Sequence, residues 1–402
     1  MNFETFNFHP SIMAGVRALG YSVPTPIQRQ VIPLIMQGRD VIGLAQTGTG
    51  KTAAFVLPIL ERLRSGPQGC VRALIISPTR ELAEQTCEVI NNLGSRTGLH
   101  SIAVYGGVSM ERQTRGLRSG TEIVAACPGR LLDHLWKGTI NLSELEVLVI
   151  DEADRMFDMG FLPDVRSILR CIVHKHQTLL FSATMPDDIR RLTREILHDP
   201  ATVQIDRQLP AKTVSHALYP VQQHLKTNLL KEILNKTRME SVLVFTRTKH
   251  RTERVAQHLL RAGYRVASIQ GDLPQSRRQA ALDAFRNGSI KILVATDIAA
   301  RGIDVLSISH VINYDMPAST DDYIHRIGRT GRVNKNGDAF TFVTSDDADK
   351  IIALERLLHA PLDRLTLQGF DYARPAPDRV SPTSRQPRWH GAESKRLVKR
   401  SR

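Results

Sequence analysis

AQTGTGKT, from Ala45 to Thr52, follows the apolar run 40–44 and precedes an apolar helical stretch. Strand, glycine-rich loop and helix in that order make a phosphate-binding loop, with Ala45 where the stricter pattern has glycine. Small residues let backbone N–H groups close around phosphate oxygens at a helix start. Lys51 can then reach the β and γ oxygens, and Thr52 can hold Mg²⁺ through its hydroxyl. A plain glycine-rich turn is the alternative, and the flanking strand and helix oppose it.

Outward from this loop, short apolar runs at 71–77, 122–126, 147–150 and 178–182 alternate with helical patterns. That is the rhythm of a doubly wound α/β domain with buried parallel strands. A polar, proline-containing stretch at 206–212 interrupts it, and a second series follows at 241–245, 265–269, 291–295, 310–314 and 339–343. The expected architecture is α/β: residues 1–208 as one domain, 209–215 as linker, 216–365 as a second domain and 366–402 as a basic disordered tail. In open sheets of this kind ligands bind at the carboxyl ends of the strands, so the residues after each run are the candidates.

Composition supports a globular chain that approaches a polyanion. The 402 residues are 42% hydrophobic and carry a formal net charge of +14; no run reaches the roughly 18 apolar residues of a membrane span. Met1 to Pro10 has no signal-peptide character. Cys70, Cys87, Cys127 and Cys171 lack metal or disulfide spacing, which is expected of reduced thiols in the cytoplasm. From Arg374 to Arg402 nine basic residues face two acidic ones, with four prolines among them. This reads as an RNA- or protein-binding tail, or as a merely solvated one. Aromatic residues are 5% of the chain, which favours a surface that holds a phosphate backbone over one that stacks many bases.

The run 147–150 ends in Asp151-Glu152-Ala153-Asp154. Two carboxylates at a buried strand tip suit Mg²⁺ at Asp151 and activation of a water by Glu152. Upstream, Thr25 and Pro26 read as a helix cap and first turn. Gln28 is then either a surface residue or an adenine reader, whose amide matches N6 and N7.

With these stretches the chain resembles the DEAD-box RNA helicases. The likeness extends through PTRELAEQ (Pro78 to Gln85), Gly106-Gly107, PGR (Pro128 to Arg130), SAT (Ser182 to Thr184), VFTRTK (Val244 to Lys249), Gln275 with Arg278, ATDIAARGID (Ala295 to Asp304) and HRIGRTGR (His325 to Arg332). FTRTKH and Gln368-Gly369-Phe370 before a basic tail are similar to the bacterial RhlE-like subgroup. The resemblance implies two tandem RecA-like domains that close around ATP, Mg²⁺ and RNA. It implies ATP contacts from Phe3, stacking on adenine, and from Gln28, Ala45, Gln46, Thr47, Gly48, Thr49, Gly50, Lys51, Thr52 and, near the ribose, Asp304. The metal falls to Thr52 and Asp151. Catalysis falls to Lys51, Asp151, Glu152, Arg329 and Arg332. RNA contacts are expected at Pro78, Thr79, Arg80, Gly107, Gly129, Arg130, Thr246, Arg247, Arg278 and Thr296, with interdomain coupling through Ser182, Thr184 and His325. For Ser182 and Thr184 a plain strand-end turn, and for Asp304 a capping or turn role, stay open.

Arg329 and Arg332 are three apart, and on a helix both would lie on one face and reach the γ-phosphate across the cleft. Backbone contacts carry little sequence information, and a preference for RNA would come from 2′-hydroxyls. The expected activity is RNA-stimulated ATP hydrolysis coupled to local opening of short duplexes or RNA–protein remodelling, in a cytoplasmic monomer. A slow ATPase acting as an RNA clamp and a DNA translocase are the competing readings. Ribosomal or RNA-decay proteins are expected partners. Two departures from the family pattern, Cys127 before Pro-Gly-Arg and Gln270 before Gly-Asp, lie away from the ATP chemistry.

Overall fold

The computed structural model describes residues 2–46, 48–205, 214–237, 239–297, 308–330 and 337–376. Two seven-stranded sheets, every pairing parallel, form two α/β domains. The first holds β1 (Val41–Leu44), β2 (Ala73–Ile76), β3 (Ser101–Val104), β4 (Ile123–Ala126), β5 (Val147–Ile150), β6 (Gln177–Ser182) and β7 (Ala201–Gln204), in the order β3-β4-β2-β5-β6-β1-β7. The second holds β8 (Val214–Pro220), β9 (Val242–Phe245), β10 (Val266–Ile269), β11 (Ile292–Ala295), β12 (His310–Asn313), β13 (Gly337–Val343) and β14 (Asp363–Arg364), in the order β10-β11-β9-β12-β13-β8-β14.

β2, β4, β5 and β11 consist only of Val, Ile, Leu and Ala because helices cover both of their faces. Residues of β2, β4 and β5 alternate between two apolar clusters, one on each side of the first sheet. A doubly covered parallel sheet leaves only its strand tips open. All the connecting loops that can carry chemistry therefore lie along one edge of each sheet.

The strands that the apolar runs marked are present, with ends shifted by a residue or two. Four others escape that reading. β3 and β7 are edge strands with partly exposed, mixed sequences, so burial does not impose a continuous apolar run on them. β8 contains His216, whose Nδ1 meets the Tyr323 hydroxyl at 3.2 Å, and β14 is two exposed residues. Val214 and Ser215, assigned above to the linker, begin β8, while 206–213 lie outside the described residues. The tail expected from 366 also begins later. Leu367, Phe370 and Tyr372 pack on the second-domain core. Lys236 Nζ donates to Gln368 O at 2.6 Å, and His224 Nε2 donates to Arg374 O at 2.8 Å. One leucine and two aromatics anchor this segment although its composition is largely polar; residues 377–402 lie outside the described part. Among the described residues no helix is long and apolar enough to cross a membrane.

Candidate active site and nucleic-acid interface

Strand order sorts the motifs into two groups. In the first sheet β5, β6 and β1 are neighbours, so the loops after them gather Asp151–Asp154, Ser182–Thr184 and the phosphate loop. β3, β4 and β2 are neighbours too, gathering Gly106-Gly107, Pro128–Arg130 and Pro78–Arg80. The second sheet repeats the division, with Thr246 after β9 and Thr296 after β11, beside β10.

The phosphate loop leads into the helix Lys51–Leu63, with Gly50 at its cap at φ +92°. Lys51 is buried and its Nζ donates to Ala45 O at 2.9 Å, so the loop's own carbonyl holds the ammonium where a phosphate would take it. Thr49 Oγ1 donates to Gln46 O at 2.8 Å, and Thr52 is half-buried one residue after Lys51. Gly48 adopts φ +87°; Thr47 lies outside the described residues.

Thr25 caps the helix Pro26–Met36 as expected, and Gln28 is buried. Gln28 Oε1 accepts from Thr25 N at 2.9 Å and its Nε2 donates to Gly50 O at 3.1 Å. A Cβ at Gly50 would lie 2.6 Å from that Nε2, so glycine is needed for contact as well as for φ. The surface reading of Gln28 is thereby excluded. Each end of the amide retains one further hydrogen-bonding valence, enough for a donor and an acceptor toward a base edge. Phe3 corrects its expectation: it is 3% exposed, 6.0 Å from the Phe6 ring and stacked at 6.2 Å on Tyr21. Its ring is part of the first-domain core, packed beside half-buried Phe6 and beneath Tyr21.

Asp151 is 3% exposed, and its Oδ1 is buried with no hydrogen-bond partner. Burial pushes its carboxyl above the ordinary range, with Lys51 pulling the other way. An orphaned carboxylate oxygen together with the Thr52 hydroxyl is a donor set that fits a hard divalent cation. Glu152 occupies the left-handed region at φ 53°, ψ 52°, which costs roughly 1–2 kcal/mol in a residue with a Cβ. Arg155, itself 2% exposed, reaches back and donates Nη1 to Glu152 Oε2. Sequence reading passed over Arg155; its position one helical turn after Glu152 was the available signal.

Asp154 is the hub of the neighbouring loop. Its Oδ2 accepts from Ala183 N at 3.1 Å, Thr184 N at 2.8 Å and Thr184 Oγ1 at 3.1 Å, and Ser182 Oγ accepts from Asp154 N at 3.2 Å. Burial alone would raise its carboxyl, yet Lys51, His325 and the Thr184 N–H hold it below the ordinary range. Ser182 and Thr184 are thus more than a strand-end turn.

From the second domain, His325, Arg326 and Arg329 line one small cavity with Arg155 of the first. Burial first, and then Arg155, brings the His325 imidazole down to about 4, against the pull of Asp154, so it is neutral at pH 7. The helix Thr320–Ile327 ends before Arg329, which corrects the one-face helix expected for Arg329 and Arg332. Arg329 sits in the following turn, its N–H on Arg326 O at 3.1 Å, and is 5% exposed. Gly328 is the last cap position of that helix, at φ −63°, ψ 3°. Arg332 and Asp304 lie outside the described residues. Arg326, not singled out by sequence, forks onto Asp297 at 2.6 and 2.7 Å and donates to Asn313 Oδ1 and Asp315 O. Asp315 in turn accepts the Arg247 N–H at 2.8 Å. Arg326 therefore braces the tips of β11, β12 and β9 against the helix that carries His325.

The expected RNA residues divide in the same way. Gly107, Gly129 and Arg247 are exposed at strand tips, and Thr296 is half-buried. Pro78 and Thr79 are buried, Thr79 Oγ1 capping the helix Arg80–Leu93 through Leu82 N at 3.4 Å. Arg80 lies under Gly107, where a Cβ would come 2.4 Å from its Nη1, and it donates to Gln275 Oε1 at 3.0 Å in the other domain. Arg278 pairs with Glu81 at 2.8 Å, again between domains. Its guanidinium thus ties the two domains together in this arrangement. Thr246 is fully buried, with its hydroxyl 2.6 Å from Thr252 Oγ1 and its N–H donating to Ala295 O at 2.9 Å. Arg130 is spent on Val108 O and Gln113 Oε1 at 3.0 and 3.1 Å and on Asp133 at 3.4 Å, and so shapes the Gly107 loop. Cys127, the first departure, is held by burial as a neutral thiol raised to about 12. Gln270, the second, accepts Asp272 N at 2.7 Å in a turn.

Two RecA-like domains with a nucleotide loop on one and arginine and histidine supplied by the other define a nucleotide-driven, two-domain enzyme. The profile of DEAD/DEAH box helicases matches residues 25–192, and that of the helicase conserved C-terminal domain matches 225–334. The DEAD-box ATP-dependent RNA helicase CshA of Geobacillus kaustophilus is 39% identical over 380 residues, 94% of this chain and 81% of that protein. CshA of Limosilactobacillus reuteri is 42% identical, over 89% of this chain and 72% of that protein. Among solved structures, S. cerevisiae Dbp5 bound to RNA and ADP BeF3 superposes with a TM-score of 0.82 at 29% identity, covering 90% of this chain and 95% of that one. A DEAD box protein from Methanococcus jannaschii gives 0.52 at 36% identity, over 91% and 99%. The chain belongs to the DEAD-box helicase family and is an ATP-dependent RNA helicase.

Proposed function

We propose that the chain hydrolyses ATP only when RNA holds its two domains together, and that the closed state opens short duplexes locally. One observation carries this reading: Arg155 of the first domain lines a single cavity with His325 and Arg329 of the second, and the charges of Asp154 and Glu152 act on His325 across the same boundary. Lys51 and the phosphate-loop N–H groups bind the ATP phosphates. Glu152, oriented by Arg155, takes the proton of the attacking water. Arg329 and Arg332 stabilise charge on the γ-phosphoryl group, so hydrolysis waits for closure. Thr52 and Asp151 would hold Mg²⁺, whose charge offsets that of the triphosphate. ATP and RNA each favour the closed arrangement and by linkage tighten one another's binding by the same factor.

The overlap with the Dbp5 complex supports reading this arrangement as closed. A score of 0.82 over two domains requires their mutual placement to agree as well as their folds. RNA contacts run through Arg247, Thr296, Gly107 and Gly129 at exposed or half-exposed strand tips and through backbone at Pro78 and Thr79, with Thr246 packed beneath Arg247. Arg80, Arg130 and Arg278 hold that surface in shape. RhlE-like character rests on FTRTKH and Gln368-Gly369-Phe370 alone, beside relatives named CshA. A cytoplasmic site of action is part of the same reading.

The primary test is ATP turnover with and without single-stranded RNA, with single-stranded DNA as comparator. Strong stimulation by RNA alone supports the reading; equal stimulation by DNA or none overturns it. Gln28→Ala is expected to raise KM for ATP and to reduce the preference for ATP over GTP, since a two-point base contact is worth about 1–3 kcal/mol of discrimination. Nucleotide competition measures this, and an unchanged ATP/GTP ratio would remove Gln28 from base recognition. Arg278→Ala removes the cation paired with buried Glu81 in the closed state and leaves it only the 3.5 Å contact from Gln275 Nε2, a loss of about 3 kcal/mol, the low end for breaking a buried pair. RNA affinity in the presence of a non-hydrolysable ATP analogue should fall at least tenfold, with RNA-free turnover unchanged.

A further inference from the structure

The helix Met110–Arg118 leaves the Gly106-Gly107 loop and carries Arg112, Arg115 and Arg118 at three-residue spacing. All three are exposed, and among the described residues none forms an ion pair. Arg115 and Arg118 complement the helix carboxyl end, but Arg112 lies outside the last turn. Gln113, on the opposite face, is buried and binds Tyr105 O at 3.0 Å, Arg130 Nη1 at 3.1 Å and His134 Nε2 at 3.2 Å. These bonds lock this helix to the helix Pro128–Trp136. At the end of that second helix Trp136 is 74% exposed, and the next residue, Lys137, brings Nζ within 3.2 Å of Met110 Sδ. A bare indole, a lysine and a row of arginines thus share one surface that continues outward from the exposed Gly107 and Val108. Of the acidic groups on these two helices, Asp133 is paired with Arg130 and Glu111 is exposed on the arginine-bearing helix.

Water and salt solvate most surface arginines, but an exposed indole beside them offers a flat apolar face on which a base can stack. From this continuity and charge we infer that the outer face of the first domain is a second RNA-binding surface, which takes the strand beyond the segment held in the interdomain cleft. Arg112, Arg115, Arg118 and Lys137 contact phosphates, and Trp136 stacks on a base. The inference rests on the proposed strand-tip RNA path and extends it.

The test compares full-length protein with the triple variant Arg112→Ala, Arg115→Ala, Arg118→Ala and with Trp136→Ala. Fluorescence anisotropy follows a single-stranded RNA of about 6 nucleotides, which only the cleft can hold, and one of about 24. On the long RNA the triple variant should bind about tenfold or more weakly, and its log K against log salt slope should be shallower by about 2, three lost contacts at about 0.7 each. Trp136→Ala should weaken the long RNA by about tenfold. Affinity for the short RNA and turnover at saturating RNA should not change, and a triple Arg→Lys variant should retain long-RNA binding. Equal loss on both lengths, or no loss on either, overturns the second surface. Wild-type turnover that ignores RNA would instead overturn the strand-tip reading beneath it, and the second surface with it.

Discussion

Arg329→Ala is expected to lower RNA-stimulated ATP turnover by about 10³ to 10⁵, the usual worth of an arginine supplied across a domain boundary. The side chain is 5% exposed and shares its cavity with Arg155 and His325, so its guanidinium acts in a site from which water is largely excluded. There a fixed cation stabilises developing charge far better than it would in bulk solvent. ATP affinity should change much less than turnover, because the interaction strengthens as the γ-phosphoryl group separates. Arg329→Lys should recover little, since one ammonium cannot replace the planar fork. Steady-state turnover at saturating RNA, with separate nucleotide titrations, checks both points. A loss below tenfold would mean that catalysis does not draw on the second domain.

Glu152→Gln should reduce turnover by about 10² to 10⁴, the range for loss of a positioned general base. Glutamine keeps the size of the side chain and can still accept a hydrogen bond from Arg155, so the loop geometry is retained while proton transfer is lost. The variant should consequently bind RNA in the presence of ATP at least as tightly as wild type and release it more slowly, because the closed complex no longer exits through hydrolysis. Single-turnover hydrolysis and RNA dissociation measured together are decisive. If RNA binding with ATP collapses along with turnover, Glu152 is a support for the loop and not its base.

The two variants probe one site from opposite domains, and they also divide what was legible from what was not. Glu152 could be named as the base because it follows a buried apolar strand directly; strand, tip and carboxylate are contiguous. Arg329 could be named as a candidate, but its placement on a continuing helix was wrong, since the chain leaves helical geometry at Gly328. Arg278 could be found as a motif residue, but its tie to Glu81 could not, because that partner lies in the other domain. Thr246 and Phe3 were taken to be available; neither sequence neighbourhood reveals that Thr252 and Tyr21 cover them.

Local periodicity and contiguous motifs determined the class of fold, the phosphate loop, the acidic strand tip and the division into two α/β halves, because each is written within about twenty residues of chain. Strand order decided the rest. Placing β5, β6 and β1 side by side is what makes Asp154 bind Thr184, and docking one domain on the other is what brings Arg80 to Gln275, 195 residues away. Contacts at that separation depend on the burial of whole surfaces against one another, and no run of neighbouring residues encodes them.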